Sequence, residues 1–128
     1  MLVAALHREV RAHRRVEVCG FLGGSGDVAR SIHPVTNIAH RPARRFEMDP
    51  AEQIHAMKAM RARGERMLAI YHSHPDMPPE PSARDIRGLG YPEALMLILG
   101  LDGVTTPTMR AWRCDMVNVS EVPITIID

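Results

Sequence analysis

Residues 94–101, ALMLILGL, limit the possible folds more than any other stretch of the chain. The run is apolar at almost every position, so as a strand it has no face to give to water and must be covered on both sides. That demand implies an interior strand of a sheet with a layer packed on each face. The patterns around it supply the layers. Residues 2–15 carry Val3, Leu6 and Val10 among arginines and histidines, a weakly amphipathic helix pattern. VEVCGFLGG at 16–24 and DVARSIHPVTNI at 27–38 read as two arms of a hairpin, with Gly23, Gly24, Ser25 and Gly26 forming the turn. MDPAEQIHAMKAMRARG predicts a helix with Asp49 as N-cap, Pro50 at its first position and Gly64 as its stop, and with Ile54, Met57 and Met60 on one side. MLAIYHSH at 67–74 is a strand, PSARDIRGLG a short helix, and TMRAWRCD and VNVSEVPITIID are later strands. The expected fold is therefore α/β with three layers, a central mixed β-sheet flanked by helices, in one domain over residues 1–128.

Charge and cysteine content exclude several functions. Lys plus Arg number 16 against 15 Asp plus Glu, a net +1 that gives no field for gathering nucleic acid or an anionic membrane. Cys19 and Cys114 are too few and too far apart for a Cys-x-x-Cys metal site, and read as buried small apolar residues of a reduced, soluble, cytoplasmic protein. No stretch has the length of a membrane span or the form of a secretion signal. The scattered methionines and Trp112 are expected to fill the core, and His33, His40 and His55, which have no partner at ligand spacing, to lie on the surface.

Chemistry concentrates in YHSHPDMPPEPSARD, residues 71–85. On a strand, His72 and His74 share one face about 6 to 7 Å apart at Cα, so two imidazoles can converge while Ser73 points away. Pro75 ends the strand, and a turn rich in Pro and Met leads to Ser82, placed to cap a helix whose third residue is Asp85. Asp85 can then turn back toward the histidines. Two imidazoles and one carboxylate suit zinc, and three protein ligands leave one tetrahedral position open, as catalytic rather than structural zinc requires. Either fragment alone is an ordinary strand histidine or an ordinary cap. Together, His-x-His-Pro, six residues, then Ser-x-x-Asp has a chance expectation of about 10⁻⁴ over a chain of this composition.

HSHP followed by SARD at this spacing resembles the motif of the JAMM metalloproteases, the MPN-plus or JAB domains. VEVCGFLGG is similar to that family's Glu-x-Cys-Gly strand, although the proline often found just before the Glu is absent, and residues 45–75 resemble the approach to the ligands in small bacterial members. The resemblance implies a fold layered like that of cytidine deaminases, zinc held by His72, His74 and Asp85, Glu17 as general base, and Ser82 helping to stabilise the tetrahedral oxyanion. It also implies a zinc-dependent peptidase or isopeptidase cutting after the C-terminal Gly-Gly of a ubiquitin-fold sulfur-carrier protein. From the residues alone Glu9 and Glu80 compete with Glu17 for the base. Arg41, Arg44 and Arg45 compete with the loop from Met77 to Glu80 for contact with the carrier. Two other readings are a catalytically silent scaffold of the same fold and a zinc deaminase; the latter needs a Pro-Cys-x-x-Cys pair that the chain lacks.

Overall fold

A computed structural model of the chain describes residues 2–88, 90–101, 106–115 and 117–127. Its elements run α1 (Leu2–Ala12), β1 (Cys19–Ser25), β2 (Val28–Val35), α2 (Pro50–Ala62), β3 (Arg66–His74), α3 (Ala83–Arg87), β4 (Leu95–Gly100), β5 (Thr108–Cys114) and β6 (Val119–Val122). The strands form one sheet in the order β2-β1-β3-β4-β5-β6, in which only β3 and β4 pair in parallel. The sheet is mixed, as expected, and β4 lies inside it with both faces covered. Parallel pairing requires a crossover, and the chain makes it through α3.

Each face has its own core. Leu6 and Val10 of α1 pack on Leu22, Ala69, Tyr71, Leu97 and Leu99. On the other face Ala56 and Met60 of α2 pack on Cys19, Phe21, Val35 and Met48. Burying one apolar stripe of each helix on opposite faces gives the three layers. Pro34 sits in β2, where an edge strand tolerates a residue that cannot donate to the ladder. No helix among the described residues is long and apolar enough to cross a membrane.

Four details differ from the sequence reading. The hairpin turn is only Gly26–Asp27, with Gly26 at φ 58°, and Gly23 to Ser25 stay in β1 with a bulge between Gly23 and Gly24. Residues 16–18 lie outside β1, because their donors are used elsewhere: Glu17 N–H donates to the Pro42 carbonyl at 2.7 Å and Val18 N–H to Ser73 Oγ at 2.9 Å. On α2, Ile54 is 55% exposed, and Ala56 and Met60 are the buried positions. The Glu52 carboxylate accepts from the Thr36 N–H and hydroxyl, which pins the first turn of the helix and sets its rotation. At the end of the chain only Val119–Val122 joins the sheet, and Ile124, Ile126 and Ile127 are exposed. Pro123, which has no N–H for a ladder, follows its last residue.

Candidate active site

β3 ends in alternation, so His72 and His74 leave the sheet on the same side. Their Nε2 atoms approach to 3.2 Å with both side chains fully buried. Between them Ser73 points to the other face and fastens the segment before β1 by accepting from Val18 N–H. The Ser-x-x-Asp cap closes the group. Ser82 Oγ accepts from Asp85 N–H at 3.0 Å, and the Asp85 carboxylate accepts from Ser82 N–H at 2.9 Å, a reciprocal capping box. The same Asp85 oxygen, Oδ2, lies 3.2 Å from His72 Nε2 and 3.1 Å from His74 Nε2. Three potential ligand atoms thus face one point, all within 4.8 Å of one another.

Each group is electrostatically prepared. Burial alone would raise the Asp85 carboxyl, but hydrogen bonds from both imidazoles outweigh it and hold the group well below the usual carboxylate range. Burial drives His72 down, against the pull of Asp85, and so favours a neutral ring. For His74 the same burial is overcome by Asp85 and by the Pro78 carbonyl, and its pKa is raised. Its Nδ1 donates to that carbonyl at 2.9 Å, which leaves the Nε2 lone pair directed at the group.

Glu17 is the fourth member. It lies just before β1, 4% exposed, and its Oε1 has no hydrogen-bond partner. Burial pushes its carboxyl up to about 7, with His74 lowering it and Asp85 raising it. The competing carboxylates are elsewhere: Glu9 accepts from the Tyr71 hydroxyl at 2.6 Å on the α1 face, and Glu80 pairs with Arg110. Of the three candidates only Glu17 shares the surroundings of His74 and Asp85.

The donor set fits zinc. Two imidazole nitrogens and a carboxylate oxygen are the ligand types a borderline-soft ion prefers, and three such atoms crowded together are better matched by a cation than by their own protons. The unpartnered Glu17 Oε1 and His72 Nδ1 show that the polar accounting here is incomplete within the chain.

A cavity of about 770 Å³ opens beside the group, lined by Phe46, Ile70, His72, Asp85 and Tyr91 and rimmed by His40, Arg45 and Arg84. Phe46 stacks on the His72 ring at 4.6 Å between centroids. That contact and the Pro78 carbonyl were not signalled by any period or spacing in the sequence. Of the basic loop, Arg45 reaches the cavity. The Met77 to Glu80 loop touches the site through Pro78.

A three-layer fold carrying a donor set that could hold a metal ion at the end of a central strand, with a buried carboxyl group beside it, is the architecture of the JAB class of hydrolases. The chain belongs to the family described as prokaryotic homologs of the JAB domain, whose model matches residues 1–115. It is 40% identical over 102 residues to a desampylase of Haloferax volcanii, covering 77% of this chain and 71% of that protein. It is 38% identical over 103 residues to a probable TtuB-protein conjugate cleaving protease of Thermus thermophilus, covering 77% and 68%. The solution structure of protein DSY2949 from Desulfitobacterium hafniense superposes with a TM-score of 0.78 at 36% identity, over 92% of this chain and 86% of that one.

Proposed function

We propose that the chain is a single-domain cytoplasmic peptidase that hydrolyses the peptide or isopeptide bond after the C-terminal Gly-Gly of a ubiquitin-fold sulfur-carrier protein, with zinc held by His72, His74 and Asp85. The observation that carries the reading is the buried, unpartnered Glu17 carboxyl beside that trio. Zinc, when bound, supplies Lewis acidity toward the scissile carbonyl and toward a water. Glu17 takes the proton from the attacking water and delivers it to the leaving nitrogen as the C–N bond breaks; a group poised near neutrality suits both transfers. Ser82 Oγ accepts the Asp85 N–H, but its own O–H remains free to donate to the carbonyl oxygen as negative charge develops there.

The carrier substrate is supported by the relatives, one named for cleaving TtuB-protein conjugates and another as a desampylase. A diglycine tail has no side chains to clash in a cavity walled by Phe46, Ile70 and Tyr91. Extending a sheet edge is not open to it near the site. Among the described residues the sheet edges are β2 and β6, two and three strands away from β3, so the tail is proposed to lie against residues 38–40 and 45–48, which line the cavity. The test is to supply zinc-loaded protein with a sulfur carrier extended by one residue after Gly-Gly, the same carrier joined to a lysine side chain, and a carrier whose last Gly is replaced by Val. Cleavage of either of the first two, abolished by chelation and by the Val change, is the expected result. No cleavage of any carrier by a zinc-loaded sample moves the chain to the silent scaffold reading.

A further inference from the structure

We infer that Trp112 and Gly100, neither of which supplies a ligand atom, hold His74 in its ligating orientation by clamping the loop between β3 and α3. Residues 75–82 contain four prolines, at 75, 78, 79 and 81, so the segment has few N–H groups with which to anchor itself. What it offers are carbonyls, and two neighbouring ones are used in opposite directions. The Pro78 carbonyl accepts from His74 Nδ1 at 2.9 Å, and the Pro79 carbonyl accepts from the Trp112 indole N–H at 2.9 Å. The loop is thereby tied to the ligand on one side and to β5 on the other.

The floor beneath the loop is as specific as the tie. Gly100 is the last residue of β4 and pairs in register with His74. A Cβ added there would lie 2.8 Å from Pro79 Cδ, 3.0 Å from Pro79 N and 3.3 Å from the Met77 carbonyl oxygen. Only a residue without a side chain lets the loop rest on the sheet at this depth. Arg110 completes the clamp: it donates to Glu80 of the loop at 2.9 Å and to Glu121 of β6 at 2.7 and 2.9 Å, and lies 4.7 Å above the Trp112 ring. These ion pairs are exposed and contribute little singly, so the partly buried indole tie and the glycine floor carry the positioning. Trp112 is thus half-buried against Met96, Ile98 and Cys114, as expected of a core-filling residue, and straps the loop as well.

The inference rests on the reading of His74 as a zinc ligand, and outer partners of ligating histidines typically change metal affinity by about 10 to 100-fold when altered. The experiment measures the zinc dissociation constant by competition with a chromophoric chelator, together with the melting temperature of each metal-free protein. Trp112→Phe keeps the aromatic body and deletes the N–H; Gly100→Ala lifts the loop. Ser31→Ala, on β2 where its hydroxyl donates to Glu65 just before β3, is the control for a purely structural loss. Expected is about a tenfold weaker zinc affinity in both clamp variants, with the control unchanged in affinity though lowered in melting temperature. If Trp112→Phe and Gly100→Ala both bind zinc within twofold of the parent, the clamp is overturned while the zinc site stands. If the control weakens zinc in proportion to its melting temperature as the variants do, the effect is general destabilisation and the clamp is again overturned. A parent protein that binds no zinc removes the metal reading and the clamp with it.

Discussion

The two ends of β3 carry the same kinds of side chain and behave in opposite ways. At its start, just before Arg66, Glu65 accepts from the Ser31 hydroxyl and from Arg63 Nε, and Ser31 in turn accepts from His33 Nε2. At its finish stand His72, His74, Asp85 and Ser82, with Glu17 alongside. Both groups hold histidine, serine and carboxylate; only one is closed. At the start no buried side-chain atom is left without a partner among the described residues, and the acid has an arginine. At the finish Glu17 Oε1 and His72 Nδ1 have none, and Asp85 pairs with two imidazoles instead of an arginine. Residue type therefore does not distinguish a site from a structural knot. What does is unmet demand, buried polar atoms that the chain itself leaves unsatisfied.

The comparison breaks most sharply on metal. His74→Ala combined with Asp85→Ala should abolish stoichiometric zinc, read by elemental analysis of the purified protein, while Ser31→Ala retains it in full. Zinc retained by the double variant would make the two ends of the strand equivalent.

Next in size is Glu17→Gln, which should keep zinc and lose about 10² to 10⁴ in turnover, because it removes a proton acceptor and little shape. In metal-free protein Glu17 deprotonates through about 7; a dication held by His72, His74 and Asp85 would lower that value, so the parent's activity should rise with pH along a limb lying below 7. A Glu17→Gln protein within a few-fold of the parent would assign the base elsewhere.

Stability against pH should then show opposite signs at the two ends. Glu17 has its folded pKa raised from 4.5 to about 7 by burial, so folding favours its protonated form. That contribution is complete below the unfolded value and is lost as pH rises through about 7. In metal-free protein Glu17→Gln should accordingly raise the melting temperature at pH 8 and leave it unchanged at pH 4. Glu65 has its pKa lowered, chiefly by the Ser31 hydroxyl. Its contribution is present above the ordinary carboxylate range and fades as pH falls below it, so Glu65→Gln should lower the melting temperature at pH 8 and not at acid pH. Equal signs would sink the distinction. The smallest effect is Ser31→Ala on its own, about 1 kcal/mol for the lost hydroxyl bond, seen by denaturant titration with no change in activity.

Much of the finish of β3 could be read in advance because its geometry is local. Period-two alternation puts His72 beside His74, and a capping box over four residues turns Asp85 toward them. The start of β3 could not be read, since Ser31 and Glu65 are 34 residues apart and meet only through the sheet. His33 looked like a lone surface histidine for the same reason. Glu17 was recognisable only by family resemblance: what separates it from Glu9 and Glu80 is depth, and depth follows from where residues 16–18 leave the ladder. Ile54 is turned outward by the Thr36–Glu52 bonds, whereas Trp112 packs against Met96, Ile98 and Cys114 as a core residue should and also reaches a loop carbonyl, a bond that hydrophobicity does not signal.

Cys19 stands opposite His72 across the β1/β3 ladder, fully buried, with its thiol donating to the Val35 carbonyl at 3.4 Å and its pKa pushed by burial up to about 12. A sulfur so held is silent toward alkylating reagents until the sheet parts, and Cys114 is buried likewise. The two thiols are therefore built-in clocks of opening, one at the site and one at the far end of β5. An ion resting between His72, His74 and Asp85 would slow the first clock, because β1 cannot leave β3 without exposing His72, and its reading would report occupancy without any substrate being present.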